Sequence, residues 1–235
     1  MHVNDCRIVV LGGGTSGWMA ALALATGLPG SSVTVVESED LPIVGVGEAT
    51  FPSIRAFHDI VGVNEAEFLR ATNGAPTSWR AILRLARTRQ PLLPHVRQLR
   101  RHCGGGEDGG VASLRLADGR EVAGDLFIDC SGFASLLLGQ TLGEPFVDFS
   151  HWLPVDRAWA CPAERSDAPL TPYTRSTALE AGGSWRIPLR KRTGYGHVFS
   201  SRYIDAERAR EQLLAQLVGS LPTHEQFLDL VLGKR

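Results

Sequence analysis

A glycine-rich turn between an apolar run and a helix of small residues constrains this chain more than any other feature. Ile8-Val9-Val10-Leu11 leads into Gly12-Gly13-Gly14-Thr15-Ser16-Gly17, and Trp18-Met19-Ala20-Ala21-Leu22-Ala23-Leu24-Ala25 follows. A second apolar run, Val33-Thr34-Val35-Val36, ends on Glu37. Unbroken aliphatic runs of this length read as buried parallel strands. Gly12 lets the chain turn, Gly14 lets the backbone approach a pyrophosphate, and Gly17 lets the helix pack close to the strand. The helix N-terminus, with Thr15 and Ser16 in its first turn, offers unpaired N–H groups and the positive end of a dipole to phosphate oxygens. Glu37, at the tip of the second strand, is placed to accept from ribose hydroxyls. The pattern predicts a βαβ unit that holds a dinucleotide, against the alternative of a plain glycine turn with no ligand. An acidic residue at position 37 favours an unphosphorylated ribose, so FAD or NAD rather than NADP, and the motif does not choose between those two.

The rest of the chain reads as a soluble globular protein. At 235 residues it can bury one substantial core, or a domain and a smaller lobe. A hydrophobic content of 43%, a charged content of 21% and a net charge of −1 give no global reason to expect a nucleic-acid or membrane partner. Cys6, Cys103, Cys130 and Cys161 are scattered, without a CxxC spacing or clustered histidines, so no metal site is expected. No apolar run reaches spanning length and nothing reads as a signal peptide, which predicts a reduced, cytoplasmic location.

After Glu37 the segment Leu41-Pro42-Ile43-Val44-Gly45-Val46-Gly47-Glu48-Ala49-Thr50-Phe51-Pro52 reads as a shaped loop, too apolar to lie freely in water. Ser53 to Leu69 reads as helical, with Asn64 as the N-cap of a second short helix and Glu67 completing a capping box. Val111–Leu116, a turn at Asp118-Gly119 and Glu121-Val122 form a hairpin. Leu126-Phe127-Ile128 is a buried strand returning to the parallel sheet. Asp129 and Cys130 at its end are candidate cofactor-shell residues, with a structural role as the alternative. Phe133 to Leu142 and Ala206 to Leu217 read as helices. The aromatic-rich stretch from 150 to 205 reads as a mixed sheet.

These motifs together carry a resemblance. The Gly12–Trp18 and Gly45–Thr50 segments, Asn64–Gly74, Asp125–Phe133, Ser150–Arg157, Thr171–Thr177 and Trp185–Ser201 resemble, in order, the flavin-dependent tryptophan halogenases. The resemblance implies an α/β fold: a Rossmann-like FAD-binding domain over 1–148 and a β-rich, incomplete substrate lobe over 149–235. It implies FAD rather than NAD in the Gly12–Gly17 cradle, with Gly47, Glu48, Ala49 and Thr50 in a strap over the flavin. It also implies a separate NADH-dependent flavin reductase, a halide, and tryptophan, another indole or a related small aromatic as substrate. In such enzymes hypohalous acid passes down a tunnel to a lysine, which holds the oxidant near one ring carbon.

This chain departs from that pattern. The family's lysine follows the match to Asn73-Gly74-Ala75, where this sequence reads Pro76-Thr77-Ser78-Trp79-Arg80. The only lysines are Lys191 and Lys234. A guanidinium stays protonated, so Arg80 is no replacement. The WxWxIP signature survives as Gly183-Ser184-Trp185-Arg186-Ile187-Pro188, with glycine in place of the first tryptophan. Residues 76–103 carry seven arginines and no acidic residue. They read as an atypical bridge, extending to 104, across deleted substrate-lobe sequence. A solvated basic face or a basic nucleic-acid or membrane helix is the alternative. Family members are much longer, and the halide site and part of the indole pocket lie in their C-terminal halves. The expectation is therefore a halogenase relative that does not halogenate as it stands. The alternatives are a non-halogenating FAD oxidase and a non-catalytic remnant. His197 is read as a structural histidine rather than a base.

Overall fold

The computed structural model describes residues 5–38, 52–75, 96–101, 109–165, 169–217 and 228–231, with the backbone alone for 96–101 and 228–231. The chain divides into two compact units, one of Met1–Val44 with Arg87–Phe146 and one of Gly45–Ala86 with Val147–Arg235. Residues 45–86 group with 147–235 in the second unit, and the last of the three junctions falls between Phe146 and Val147.

The first unit is built on β1 (Arg7–Leu11), α1 (Thr15–Gly27) and β2 (Ser32–Val36). Both strands are the aliphatic runs of the sequence, and β2 pairs parallel to β1 from Arg7↔Ser32 to Leu11↔Val36. The later strand β6 (Leu126–Asp129) joins the other edge of β1, also parallel, giving the order β2-β1-β6. α1 packs on β1 and β2, with Gly17 and Ala21 buried. An antiparallel meander of β3 (Val96–Arg101), β4 (Val111–Leu116) and β5 (Glu121–Ala123) belongs to the same unit. Its tight turn is the expected one, with Gly119 at φ +90°. Val9, Leu11 and Val36 from the parallel sheet meet Leu114, Leu116 and Leu137 in one buried cluster. The end of the arginine-rich segment is thus a strand, β3, and not part of a basic helix. The rest of that segment lies outside the described residues.

The helix expected from Phe133 to Leu142 is a correction. The chain makes a short 3-10 turn at Gly132–Ala134 and a π-helical turn at Leu136–Thr141, separated by Ser135 in the left-handed region at φ 41°. The cause is Asp129, whose carboxylate gathers amides from both sides of that break, as detailed below.

In the second unit the helical stretch read from 53 to 69 forms α2 (Ile54–Val61) and α3 (Glu65–Ala71), the second starting after Asn64 as expected. Gly62 ends α2 in the left-handed conformation, and the Asn64 side chain accepts from the amides of Ala66 and Glu67 at 3.0 and 3.2 Å, as an N-cap does. The stretch read as a mixed sheet is wholly antiparallel. β7 (Arg157–Glu164), β8 (Arg175–Leu179), β9 (Gly182–Pro188) and β10 (Arg192–Phe199), followed by α4 (Ala206–Leu214) and β11 (Leu228–Val231), give the order β11-β7-β10-β9-β8. α4 covers one face through Leu213, against Cys161, Ala163 and Tyr195. Trp152 and Tyr173 lie outside the strands and are exposed, so they are not core residues. Among the described residues no helix is long and apolar enough to cross a membrane.

Candidate cofactor site

The parallel register sets the geometry of the glycine turn. Val36, Leu11 and Asp129 are neighbours at the carboxyl ends of β2, β1 and β6. Glu37, Gly12 and Cys130 therefore stand one residue beyond the sheet, side by side, where ligands of open α/β sheets bind. The Gly12 amide donates to the Val36 carbonyl at 2.8 Å and the Cys130 amide to the Leu11 carbonyl at 2.8 Å, so hydrogen bonding continues past both strand ends.

Each glycine of the turn meets a different neighbour. Gly12 has φ +122°, and a Cβ there would lie 2.1 Å from the Cys130 carbonyl oxygen. A Cβ on Gly17 would lie 1.8 Å from the Gly12 carbonyl oxygen, so α1 enters against the turn with no room for a side chain. Around Gly14 no described atom lies within 4 Å of the Cβ position. Gly14 is also the N-cap of α1, no side chain caps that helix, and its first turn holds no acidic residue. The Trp18 amide is the first to bond inside the helix, to the Gly14 carbonyl at 3.1 Å. The amides of Thr15, Ser16 and Gly17 thus sit at an uncapped positive helix end, beside a Gly14 that no described atom crowds. This arrangement fits a pyrophosphate, because the glycine that a phosphate must approach is the one with room above it.

Glu37 is half-buried and lies against the turn: a Cβ on Gly13 would fall 1.7 Å from its Oε2. Gly13 was not among the residues singled out from the sequence, since the glycine pattern leaves its position free. The run of three glycines was the only available signal.

Asp129 is committed to its own segment. Its Oδ1 accepts from the Ser131 amide at 3.0 Å and the Ser131 hydroxyl at 2.5 Å, and its Oδ2 from the Leu137 and Leu138 amides at 2.9 and 3.0 Å. Burial pushes its carboxyl pKa up, but the bonds from the Ser131 hydroxyl and the three amides outweigh this and hold it below the usual range. This geometry favours the structural alternative, with the carboxylate ordering the chain behind the strand end. Cys130 contributes its backbone to the turn, and burial followed by the Asp129 charge raises its thiol pKa. Cys6, Cys130 and Cys161 are free, and no group of residues among those described could hold a metal.

Gly47, Glu48, Ala49 and Thr50, the expected strap, lie outside the described residues, as do Pro76–Arg80, where the lysine was sought, and Lys234. Chain order leads to that second segment through well-formed structure: beyond the end of α3 Asn73 turns left-handed at φ 53°, the Gly74 amide bonds to the Leu69 carbonyl at 3.0 Å, and Ala75 is fully buried.

In the second unit Trp185 lies flat over Gly196 of the neighbouring strand, where a Cβ would sit 1.9 Å from its ring. Gly183 is two residues earlier on the same strand face. His197 is fully buried under α4, its Nδ1 3.0 Å from the Ala209 carbonyl, as a structural histidine would be.

Comparison with known proteins gives these features a context. The profile of the family described as tryptophan halogenase matches residues 7–79 and 95–235, leaving out the first six residues and the centre of the arginine-rich segment. A tryptophan 7-halogenase of Kutzneria sp. (strain 744) is 29% identical over 317 residues, covering 91% of this chain and 59% of the relative. That alignment is longer than the whole 235-residue chain, so the relative carries internal sequence with no counterpart here. Among solved structures, a flavin-dependent halogenase from Xanthomonas campestris matches with a TM-score of 0.85 and 30% identity, over 96% of this chain and 62% of that one. A flavin-dependent halogenase from Brevundimonas sp. BAL3 matches with a TM-score of 0.82 and 29% identity, over 99% and 64%. The chain thus spans about three-fifths of the length of the relatives it matches.

Proposed function

The chain belongs to the tryptophan halogenase family, and we propose that its first unit binds FAD at the glycine turn, within the flavin-dependent halogenase lineage that acts on indoles and related aromatics. One observation carries this reading: no described atom lies within 4 Å of the Cβ position at Gly14, beside an uncapped helix N-terminus, with the Glu37 carboxylate at the same strand ends. The amides and hydroxyls of Thr15 and Ser16, with the Gly14 and Gly17 backbone, would hold the pyrophosphate, and Glu37 would accept from the adenosine ribose. Gly47, Glu48, Ala49 and Thr50 are proposed as the strap over the flavin. Asp129 is proposed to act on the site through the segment it orders. When bound in reduced form, FAD supplies the electrons with which oxygen is activated toward chloride or bromide, and a separate NADH-dependent flavin reductase would furnish that reduced form.

As a 235-residue polypeptide the chain is proposed not to halogenate. The family's lysine has no counterpart after Ala75, and Lys191 stands instead in the tight connection between β9 and β10. Purified chain supplied with FAD, flavin reductase, NADH, chloride and tryptophan should yield no chlorotryptophan by mass spectrometry. Measurable product would contradict the proposal. The same departures, with Gly183 in place of a tryptophan, favour a second reading in which reduced FAD is reoxidised with release of peroxide. An NADH-coupled peroxide assay that stays at background would count against that reading.

A further inference from the structure

We infer that Gly13, the variable position of the glycine pattern, is a positioning residue for the Glu37 carboxylate and thereby helps set the affinity for FAD, a role that presupposes FAD binding at this turn. Gly12 is required by its positive φ, but Gly13 is not among the residues with positive φ, so its backbone would accept an alanine. What excludes a side chain is Glu37. A Cβ on Gly13 would lie 1.7 Å from Glu37 Oε2, 2.7 Å from Cδ and 2.4 Å from Cβ. The first two atoms could swing away, because they end a flexible side chain. The Cβ cannot, because it is fixed to the backbone just past β2. An alanine at position 13 therefore displaces the end of β2 or lifts the turn, and either movement takes the carboxylate from its place beside the Gly12–Gly17 cradle. Charge-assisted hydrogen bonds depend closely on that placement.

The test is a double-mutant cycle read by FAD titration and by the melting of the apo chain. Gly13→Ala should weaken FAD binding roughly tenfold. Glu37→Gly removes both the carboxylate and the clash, and should weaken binding by a similar factor. In the double variant Gly13→Ala should add no further loss, because the three atoms nearest the new methyl all belong to the removed Glu37 side chain. A positional need for glycine in the turn itself would cost the same in both backgrounds, and that result overturns the inference, as does wild-type affinity in Gly13→Ala. If Gly13→Ala alone fails to fold, recovery of a cooperative melt in the double variant supports the contact, and failure to recover overturns it. A wild-type chain that takes up no FAD contradicts the FAD reading itself, whereas the apo melts still report on the contact between Gly13 and Glu37.

Discussion

The glycines of the turn separate binding from folding, residue by residue. A methyl on Gly17 strikes a backbone oxygen, so Gly17→Ala should lower the apo melting temperature by overpacking, typically about 1–3 kcal/mol. Gly14→Ala enters open space from an ordinary extended backbone, φ −74° and ψ −179°, and should leave the apo melt unchanged while weakening FAD binding. Thermal shift with and without FAD distinguishes the two, and equal destabilisation by both would remove the claim that Gly14 borders a ligand space. At the opposite strand ends Arg7 clamps Asp125, its amide and Nε donating to Oδ2 at 2.9 and 3.2 Å and its Nη2 to Oδ1 at 2.7 Å. The Arg7 side-chain bond, followed by its backbone bond, lowers the Asp125 pKa from the ordinary 3.8 to about 2. A lowered folded pKa adds stability above the unfolded value, and this is lost as pH falls through the folded one. The melting difference between wild type and Asp125→Asn should therefore be constant near neutrality and shrink between about pH 4 and pH 2. A difference independent of pH would show that the pair contributes nothing through its charge.

At the scale of elements, local signals were enough where a single rule decided the outcome. Aliphatic runs specified β1 and β2, Asn64 marked the start of α3, and Asp118-Gly119 marked the hairpin between β4 and β5. They failed where a distant group intervened. Phe133–Leu142 has helical composition, but the Asp129 carboxylate draws in the Leu137 and Leu138 amides and Ser135 turns left-handed, which no local pattern encodes. Gly13 was missed for the same reason, since its partner Glu37 lies across the whole of α1. The antiparallel order of the second sheet was likewise hidden, because strand composition does not report pairing direction. Asp129→Asn should loosen the Leu136–Thr141 turn, raising amide exchange there and costing roughly 1.5–3 kcal/mol, as expected for bonds to a charged acceptor. Protection equal to wild type would refute its ordering role. Gly196→Ala should displace the Trp185 ring, seen as a shifted tryptophan emission, and unchanged emission and melting would contradict the stacking described for β9 and β10.

At the scale of the whole molecule, the glycine turn proposed to hold FAD lies at the carboxyl ends of the parallel strands, and the sequence over 76–80, where a lysine is expected, carries none. The parallel unit is continuous in its strand order, register and glycine turn. The family profile is interrupted only over residues 80–94, inside the arginine-rich stretch that composition had already set apart. FAD titration of the purified chain, with flavin fluorescence and thermal shift as readouts, tests the central claim most directly. Saturable binding with a rise in melting temperature that grows with FAD concentration is the predicted result. Fluorescence that never saturates, with a melting temperature indifferent to FAD, would contradict it.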